Sequence, residues 1–260
     1  MRIARFTTSG QDPRYGVVHG EDGAERIAVI SGDPLYAGIV PTGEVLALAG
    51  VRLLAPVIPR SKILGIGRNY AAHAAELDNE VPLAEPLVFL KPNTSVVGPE
   101  DPIRLPALSR EVHYEGELAV VIARMCRDVP AERAGEVVIG YTCANDVTAR
   151  DLQRRDGQWW RAKGFDSFCP LGPYLVTDLD VSDLRITTRL DGRTVQDGRT
   201  RDMVFDVARL VAHVSAVMTL LPGDVILTGT PEGVGPLAAG QRVEVEIEGI
   251  GVLANPVVDR

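Results

Sequence analysis

Hydrophobic and polar residues alternate along much of the chain with the period of two that is typical of strands. Four alternating segments, bounded by Gly, Pro or Asp, lie within the first 56 residues: RIARFT, YGVVHG, ERIAVI and VRLLAP. They predict a small β-rich N-terminal domain over residues 1–55. The two prolines of APVIPR mark its boundary with a larger domain over residues 56–260.

Strands also dominate the larger domain. The predicted strands are KILGIG, LVFLKP, residues 112–123, GEVVIGYTCAND and DVILTGTPEG. RITTRLDGRTVQ predicts a hairpin, because Asp191-Gly192 favours a two-residue type I′ turn. Helical segments are fewer: NYAAHAAELD, VTARDLQRRD and DVARLVAHVSAVMTLL, the last of which Asp206 can cap. Because strands and helices do not alternate steadily, the predicted fold class is α+β and strand-dominated.

Two acids, Glu115 and Glu117, stand one residue apart at the start of an apolar run over residues 118–123. In a strand, side chains two residues apart share a face, so both carboxylates would point the same way beside a segment that is covered on both sides. The alternation of residues 243–249, VEVEIEG, persists to its end, as in a half-exposed strand, so we interpret those glutamates as solvated. The contrast suggests a functional role for the first pair.

A third acid, Asp146, ends another apolar strand and would complete a metal site. Each pair of carboxylates at ~4 Å costs on the order of 4 kcal/mol at an effective dielectric near 20, and a divalent cation reverses that sign. Oxygen ligands alone suit Mg²⁺ or Mn²⁺, and less specifically Ca²⁺, whereas zinc prefers His and Cys. The sequence therefore predicts a site for Mg²⁺ or Mn²⁺ at Glu115, Glu117 and Asp146.

Charge and cysteine content narrow the partners and the compartment. A formal net charge of -8 argues against nucleic acid as the main partner, although a local cluster of Arg and Lys can still bind a small anion. The chain has three cysteines, Cys126, Cys143 and Cys169, and they form no CxxC pair. An odd number of separate cysteines favours a reducing compartment. The first residues do not resemble a signal peptide, and no stretch approaches ~18 apolar residues, so we expect a cytoplasmic protein without membrane contact.

Six segments occur in order between about residues 60 and 235: GRNYAAHAAE, FLKPNTSVVG, HYEGELAVVI, NDVTARDLQ, RAKGFDSFCPLGP and LTGTPEGVG. Together they resemble the fumarylacetoacetate hydrolase superfamily, in its short-chain type related to acylpyruvate hydrolases and 2-hydroxyhepta-2,4-diene-1,7-dioate isomerases. The resemblance implies a mixed β-roll of the type found in that family's C-terminal domain, and usually a homodimer. It also implies that Glu115, Glu117 and Asp146 hold a metal ion, which the 2-oxo acid end of a small anionic substrate chelates.

The resemblance also assigns roles around that end of the substrate. Lys163 would lie near it, and Thr230 would hold its carboxylate. Arg150 and Gln153 match residues that contact substrate in some members.

His73 and Glu76 match a dyad that activates water in hydrolytic members, on a stretch that is often a mobile lid. We expect Trp159 and Trp160 to pack in the core or in a dimer interface rather than against a ligand.

The chemistry of a 3-acylpyruvate fits these residues. Breaking its C–C bond releases a pyruvate enolate, whose negative charge a chelated metal would accept. His73 and Glu76 share a helix face at i, i+3, so they can supply the base for water. The leading prediction is therefore a metal-dependent hydrolase that cleaves a C–C bond in an acylpyruvate-type 2-oxo acid through a metal-stabilised enolate.

Two related reactions remain open, because both pass through the same enolate. One is an oxaloacetate-type decarboxylation, and the other is the isomerisation of a 2-hydroxy-dienedioate from aromatic catabolism. A non-catalytic metal-binding protein is disfavoured, since it would be expected to lack His73, Glu76 or Lys163.

Overall fold

The computed structural model describes residues 1–21 and 23–259, and strands dominate it. The strands β1 to β20 are Arg2–Thr7, Arg14–His19, Arg26–Ile30, Pro41–Ala47, Arg52–Leu54, Ile63–Gly67, Leu87–Lys91, Val96–Val97, Ile103–Leu105, Val112–Tyr114, Gly116–Ile122, Val138–Asn145, Thr148–Ala149, Cys169–Val176, Arg185–Leu190, Arg193–Arg199, Val225–Leu227, Gly235–Pro236, Arg242–Ile247 and Gly251–Asp259. The helices α1 to α5 are Pro34–Ala37, Ala71–Glu76, Arg150–Asp156, Trp160–Lys163 and Val207–Val217. Short 3-10 turns cover Leu48–Gly50, Asn93–Ser95, Ala131–Val137 and Thr200–Asp202.

The largest sheet has twelve strands and runs through the whole molecule. Its order is β4-β3-β2-β1-β14-β12-β11-β17-β6-β7, with β5 beside β1 and β8 beside β14. The four strands predicted near the N-terminus are present as β1, β2, β3 and β5. The strand β4 was not predicted, because its first residues, PTG, are turn-forming, whereas the strand runs from Pro41 to Ala47 along β3.

The strand β11 lies near the centre of this sheet, and all seven of its residues are buried. Its alternate residues enter different parts of the core. Ala119 and Val121 pack in one cluster with Val225 of β17, and Val120 and Ile122 pack in another with α5. The apolar run was correctly interpreted as a strand covered on both faces, because each face has its own packing partner.

A five-stranded sheet, of order β16-β15-β19-β20-β9, packs against the central sheet. Ile186 of β15 and Val245 of β19 share a core cluster with Leu118 of β11. Asp191 and Gly192, with φ of 50° and 78°, form the predicted turn between β15 and β16. These layers confirm the predicted strand-dominated α+β fold.

The prediction of one strand over residues 112–123 is wrong. β10 belongs to a three-stranded sheet of order β13-β10-β18, whereas β11 belongs to the central sheet, and Glu115 lies between them. Gly116 leaves room for the packed second sheet at this point, because a Cβ there would lie 2.2 Å from the Thr188 hydroxyl. Both segments have strand character, so their alternation alone does not show that the chain changes sheet.

Helix α5 packs on the same face of the central sheet as the five-stranded layer, because Val120 and Ile122, which pack with α5, point to the same side of β11 as Leu118. Asp206 caps it as predicted, since the carboxylate accepts a hydrogen bond from the Arg209 N–H (2.8 Å), and Leu210 and Val214 enter the core. The helix around His73 is shorter than the predicted segment NYAAHAAELD, since α2 begins at Ala71 and ends at Glu76. Among the helices in residues 1–21 and 23–259, none combines the length and apolar character needed to span a bilayer.

Candidate active site

The three predicted acids meet at the end of the central sheet. Gly116 and Asn145 are partners in the β11–β12 ladder, so the residues beside them, Glu115 and Asp146, lie opposite one another. The Asp146 N–H donates to the Glu115 carbonyl (2.8 Å), which closes this end of the ladder. Oxygens of Glu115, Glu117 and Asp146 lie within 4.8 Å of one another, and all three residues are buried.

Two buried lysines contact this acid cluster. The Lys163 ammonium, at the end of α4, donates to Glu115 (2.9 Å) and to Asp146 (2.5 Å). The Lys91 ammonium, at the end of β7, donates to the other oxygen of Asp146 (2.5 Å). Burial lowers the pKa of Lys163, but the carboxylates of Asp146 and Glu115 outweigh it, so the net shift is upward. Lys163 therefore stays protonated at neutral pH.

Helix α3 supplies a third cation. Arg150 is buried and forms an ion pair with Glu115 through one guanidinium nitrogen. Another nitrogen donates to Gln153 (2.8 Å), three residues along the same helix. Arg150 and Gln153 are thus held together beside the acids, although their predicted contacts with substrate remain a prediction.

Glu117 differs from the other two acids. In the described part of the chain it forms no ion pair, and its carboxylate accepts a hydrogen bond from the Gly229 N–H (2.7 Å). Burial, followed by the charges of Asp146 and Glu115, raises the pKa of Glu117 well above its usual value. The cluster therefore contains one carboxylate whose negative charge is poorly compensated.

Glu115 shows the opposite shift. Burial raises the pKa of Glu115, but the nearby Arg150 and Lys163 outweigh burial and lower it below the usual range. A divalent cation among the three acids would supply the positive partner that the Glu117 carboxylate lacks. Sites made only of oxygen donors suit Mg²⁺ or Mn²⁺. The residues present therefore fit such an ion.

His73 and Glu76 lie together on α2, as their spacing predicts. The His73 Nδ1 atom lies 3.3 Å from a Glu76 carboxylate oxygen, and the Gly233 N–H donates to the same carboxylate (3.0 Å). His73 is 6% exposed. Burial lowers the pKa of His73 even though Glu115 nearby opposes this, so the imidazole is neutral at pH 7 and available as a base.

Thr230 is buried next to the two glutamates, with its hydroxyl already engaged. It donates to the Gly116 carbonyl (2.9 Å) and accepts from the Gln196 amide (2.8 Å). A hydroxyl has one proton, so a substrate carboxylate that binds it would have to take that proton from Gly116. Gln196 also accepts from the Gly116 N–H (3.0 Å), so its amide braces the residue between Glu115 and Glu117.

A cavity of about 350 Å³ opens onto these groups. The predicted site residues that line it are His73, Glu115, Glu117, Arg150, Gln153, Lys163 and Thr230. Asp146 lies behind Lys163, and Glu76 lies behind His73. The structure thus brings all nine predicted site residues to one place, while the role of each stays a prediction.

The two tryptophans have different surroundings, and whether either packs in a dimer interface stays a prediction. Trp159 lines the cavity and meets Phe89 edge-on, with ring centres 5.5 Å apart, and Lys163 lies 4.8 Å from the Phe89 ring centre. Trp160 is 68% exposed in this chain and does not pack in its core. Adjacent residues in this short segment point in different directions, which composition alone does not reveal.

Three further residues at the acids or the cavity were not predicted from the sequence: Lys91, Gln196 and Arg68. Lys91 ends an apolar strand, the same signal that drew attention to Asp146, and could have been found in that way. Gln196 lies in a hairpin strand without any local signal, because its contacts come from distant parts of the chain. Arg68 lines the cavity.

Two family models match the chain. The family model for the fumarylacetoacetate (FAA) hydrolase C-terminal domain matches residues 62–258, and an Rv2993c-like N-terminal model matches residues 1–56. The chain therefore belongs to the fumarylacetoacetate hydrolase family, as its sequence resemblance implied.

Two solved structures and one curated relative cover nearly the whole chain. A 5-carboxymethyl-2-hydroxymuconate delta-isomerase from Mycobacterium smegmatis is 51% identical over 100% of both chains, with a TM-score of 0.93. A maleylpyruvate hydrolase from Sphingobium sp. SYK-6, in complex with manganese(II) ion and pyruvate, is 36% identical over 100% of this chain and 99% of that one, with a TM-score of 0.81. The mitochondrial oxaloacetate tautomerase fahd2 of Xenopus laevis is 46% identical over 99% of this chain and 90% of its own. Relatives of this chain thus include a hydrolase, an isomerase and a tautomerase.

Proposed function

We propose that the protein is a Mg²⁺- or Mn²⁺-dependent hydrolase that cleaves a C–C bond in an acylpyruvate-type 2-oxo acid. The observation that carries the proposal is that one cavity is lined both by the acids Glu115 and Glu117 and by His73, a buried neutral base. The similar maleylpyruvate hydrolase, in complex with manganese(II) ion and pyruvate, supports both the metal and the product. The homodimer and the cytoplasmic location remain predictions.

The residues that would hold the ion are Glu115, Glu117 and Asp146. A divalent cation at this position would bind the 2-oxo acid end of the substrate and accept the negative charge that develops there. Three buried cations, Lys91, Lys163 and Arg150, equal the three acids in number, although they pair only with Glu115 and Asp146, so a divalent cation would give the cluster a net positive charge. The loaded site would therefore attract an anionic ligand.

His73 would act on the other half of the substrate. A proton on Nδ1, shared with Glu76, leaves Nε2 as the basic nitrogen. His73 then takes a proton from water, and the hydroxide adds to the acyl carbonyl. The C–C bond breaks with its electron pair on the pyruvate fragment, which takes up a proton at carbon.

Lys163 and Arg150 would assist by position and charge. The Lys163 ammonium is held by Glu115 and Asp146 and lines the cavity, so a permanent positive charge faces the bound 2-oxo acid. A fixed charge in a water-poor site stabilises developing negative charge more than a mobile one in water.

Oxaloacetate tautomerisation is the second candidate. The 46% identity to the Xenopus laevis oxaloacetate tautomerase favours it, because that similarity covers 99% of this chain. The keto–enol reaction requires proton transfer at carbon but no attacking water, so it does not require His73 as the base for water. Oxaloacetate decarboxylation shares this property, since loss of CO₂ leaves the enolate directly.

A panel of three substrates tests the proposal. Purified protein would be assayed with acetylpyruvate, fumarylpyruvate and oxaloacetate, with Mg²⁺, with Mn²⁺ and with chelator, and the products identified. We expect metal-dependent release of pyruvate from an acylpyruvate.

His73→Ala separates the two candidates. It should reduce acylpyruvate hydrolysis by ~10²–10⁴-fold and affect reactions of oxaloacetate much less, while oxalate binding stays nearly unchanged. Rapid tautomerisation of oxaloacetate without any acylpyruvate cleavage would contradict the hydrolase and favour the second candidate.

A further inference from the structure

Lys91 is a buried cation that contacts the acid cluster from outside the cavity. Its side chain has no exposed surface, and its ammonium donates to Oδ1 of Asp146 (2.5 Å) and, more weakly, to the Val147 carbonyl (3.4 Å). Among residues 1–21 and 23–259, the cavity lining includes Lys163 but not Lys91. A substrate in the cavity therefore does not reach Lys91, and its role lies in what it does to Asp146.

The backbone of Asp146 is already held by other groups. Its N–H donates to the Glu115 carbonyl (2.8 Å), and its own carbonyl accepts from the Thr148 hydroxyl (2.8 Å). A buried ion pair adds little net stability compared with apolar residues of the same size, because both charges lose their hydration. What Lys91 contributes is a fixed orientation of the Asp146 carboxylate.

The two carboxylate oxygens of Asp146 face different cations. Oδ2 accepts from Lys163 (2.5 Å), whose ammonium also donates to Glu115 (2.9 Å), so Oδ2 lies on the side of the other acids. Oδ1 is turned to Lys91 instead. A carboxylate held in this way offers one oxygen, and not two, to a cation among the acids.

The number of oxygens that a carboxylate offers affects the choice of cation. Mg²⁺ requires a near-octahedral set of oxygens at ~2.0–2.1 Å, whereas Ca²⁺ takes roughly six to eight oxygens at ~2.3–2.6 Å and often binds both oxygens of one carboxylate. We infer that Lys91 holds Asp146 as a one-oxygen ligand and thereby selects Mg²⁺ against Ca²⁺. The inference rests on the proposed function, because Asp146 is taken to be a metal ligand. Lys91 is thus a positioning residue.

Calorimetric titration with Mg²⁺ and with Ca²⁺ tests this inference without turnover. The wild type should bind Mg²⁺ more tightly than Ca²⁺. In Lys91→Met, Oδ1 of Asp146 is buried without its donor and should turn toward the cation. We expect the Mg²⁺ affinity to fall by ~10- to 100-fold, as with loss of other outer-shell partners, while Ca²⁺ binding is retained. The preference for Mg²⁺ should shrink by a similar factor.

Lys62→Met is the matched control. Lys62 donates to the buried Asp224 (2.5 Å), one residue before β17. The acid cluster lies beyond the other end of β17, where the Gly229 N–H donates to Glu117. This variant loses the same kind of ion pair and should lose stability in urea, yet it should keep the wild-type preference for Mg²⁺.

A second measurement needs only the wild-type protein. In crystals soaked with Mn²⁺, which also favours octahedral oxygen sites, one oxygen of Asp146 should bind the ion and the other should stay on Lys91. Manganese held by both oxygens of Asp146 would overturn the inference, whether or not Lys91→Met folds.

The titrations can contradict the inference in three ways. These are a wild type that binds Ca²⁺ at least as tightly as Mg²⁺, an unchanged preference in Lys91→Met, and an equal loss of preference in Lys62→Met. Failure of the wild type to bind either cation would instead overturn the metal site of the proposed function, and the inference with it.

Discussion

Replacing Glu117 with Gln should stabilise the metal-free protein and at the same time abolish its response to metal. The carboxylate is buried, has no ion pair in the described part of the chain, and lies within 4.8 Å of the carboxylates of Glu115 and Asp146. Burial and those two charges raise its pKa well above the usual value, so the fold disfavours its charged form. An amide of the same size removes that penalty.

The magnitude follows from the geometry. Repulsion between two carboxylates at ~4 Å is on the order of 4 kcal/mol at an effective dielectric near 20. Because Glu117 is partly protonated in the folded protein, Glu117→Gln relieves only part of that repulsion energy. We therefore expect a gain of roughly 1–3 kcal/mol near pH 8 for Glu117→Gln. The gain should vanish below about pH 4.5, where the carboxyl is neutral in both the folded and the unfolded protein.

Glu115 provides an opposite and equally buried control. Its pKa is lowered because Arg150 and Lys163 outweigh burial, so neutralising it should destabilise the metal-free protein. Removing one partner of a buried ion pair costs ~3–5 kcal/mol. Glu246→Gln, in a half-exposed pair with Arg189, should change stability by less than ~1 kcal/mol.

Urea denaturation with and without Mg²⁺ measures all three variants. Metal at about 100 times its dissociation constant should stabilise wild type by ~2.7 kcal/mol, and Glu246→Gln equally, whereas neither Glu117→Gln nor Glu115→Gln should respond. A loss of metal-free stability in Glu117→Gln comparable to that in Glu115→Gln would refute the account of the charges in this cluster.

Two further predictions concern residues around the acids. Since burial keeps the pKa of His73 below 6.5, kcat/KM for acylpyruvate hydrolysis should stay level down to about pH 6.5 and fall only at lower pH; a fall that begins above pH 7 would contradict His73 as the base. Gln196→Leu removes the amide that braces Gly116 and should weaken Mg²⁺ binding measured by calorimetry by ~10-fold or more, as loss of an outer-shell hydrogen bond does. Unchanged affinity in a folded Gln196→Leu protein would show that the brace does not position the glutamates.

The sequence pattern was sufficient for most strands, for the hairpin turn at Asp191-Gly192 and for the cap of α5, because each depends on local periodicity or on turn chemistry. The pattern was insufficient where consecutive segments of the chain pair with different sheets. Residues 112–123 have strand character throughout, yet Glu115 separates two strands of different sheets. Only the pairing of the two segments, β10 with β13 and β18 and β11 with β12 and β17, shows the change of sheet.

The same limit applies to the site. Glu115, Glu117 and Asp146 could be found because charges beside buried apolar strands are unusual, and the family resemblance supplied the other predicted residues. Gln196 could not, since its importance lies in contacts between residues far apart in the chain. Local sequence shows which groups are unusual, whereas tertiary structure shows which of them remain unpaired.

The most direct test of the metal site is anomalous scattering from crystals soaked in Mn²⁺. We expect one strong peak among the carboxylates of Glu115, Glu117 and Asp146, with the manganese bound by oxygen from all three. A peak elsewhere in the molecule, or no peak with these three carboxylates intact, would contradict the central claim that this cluster is a metal centre.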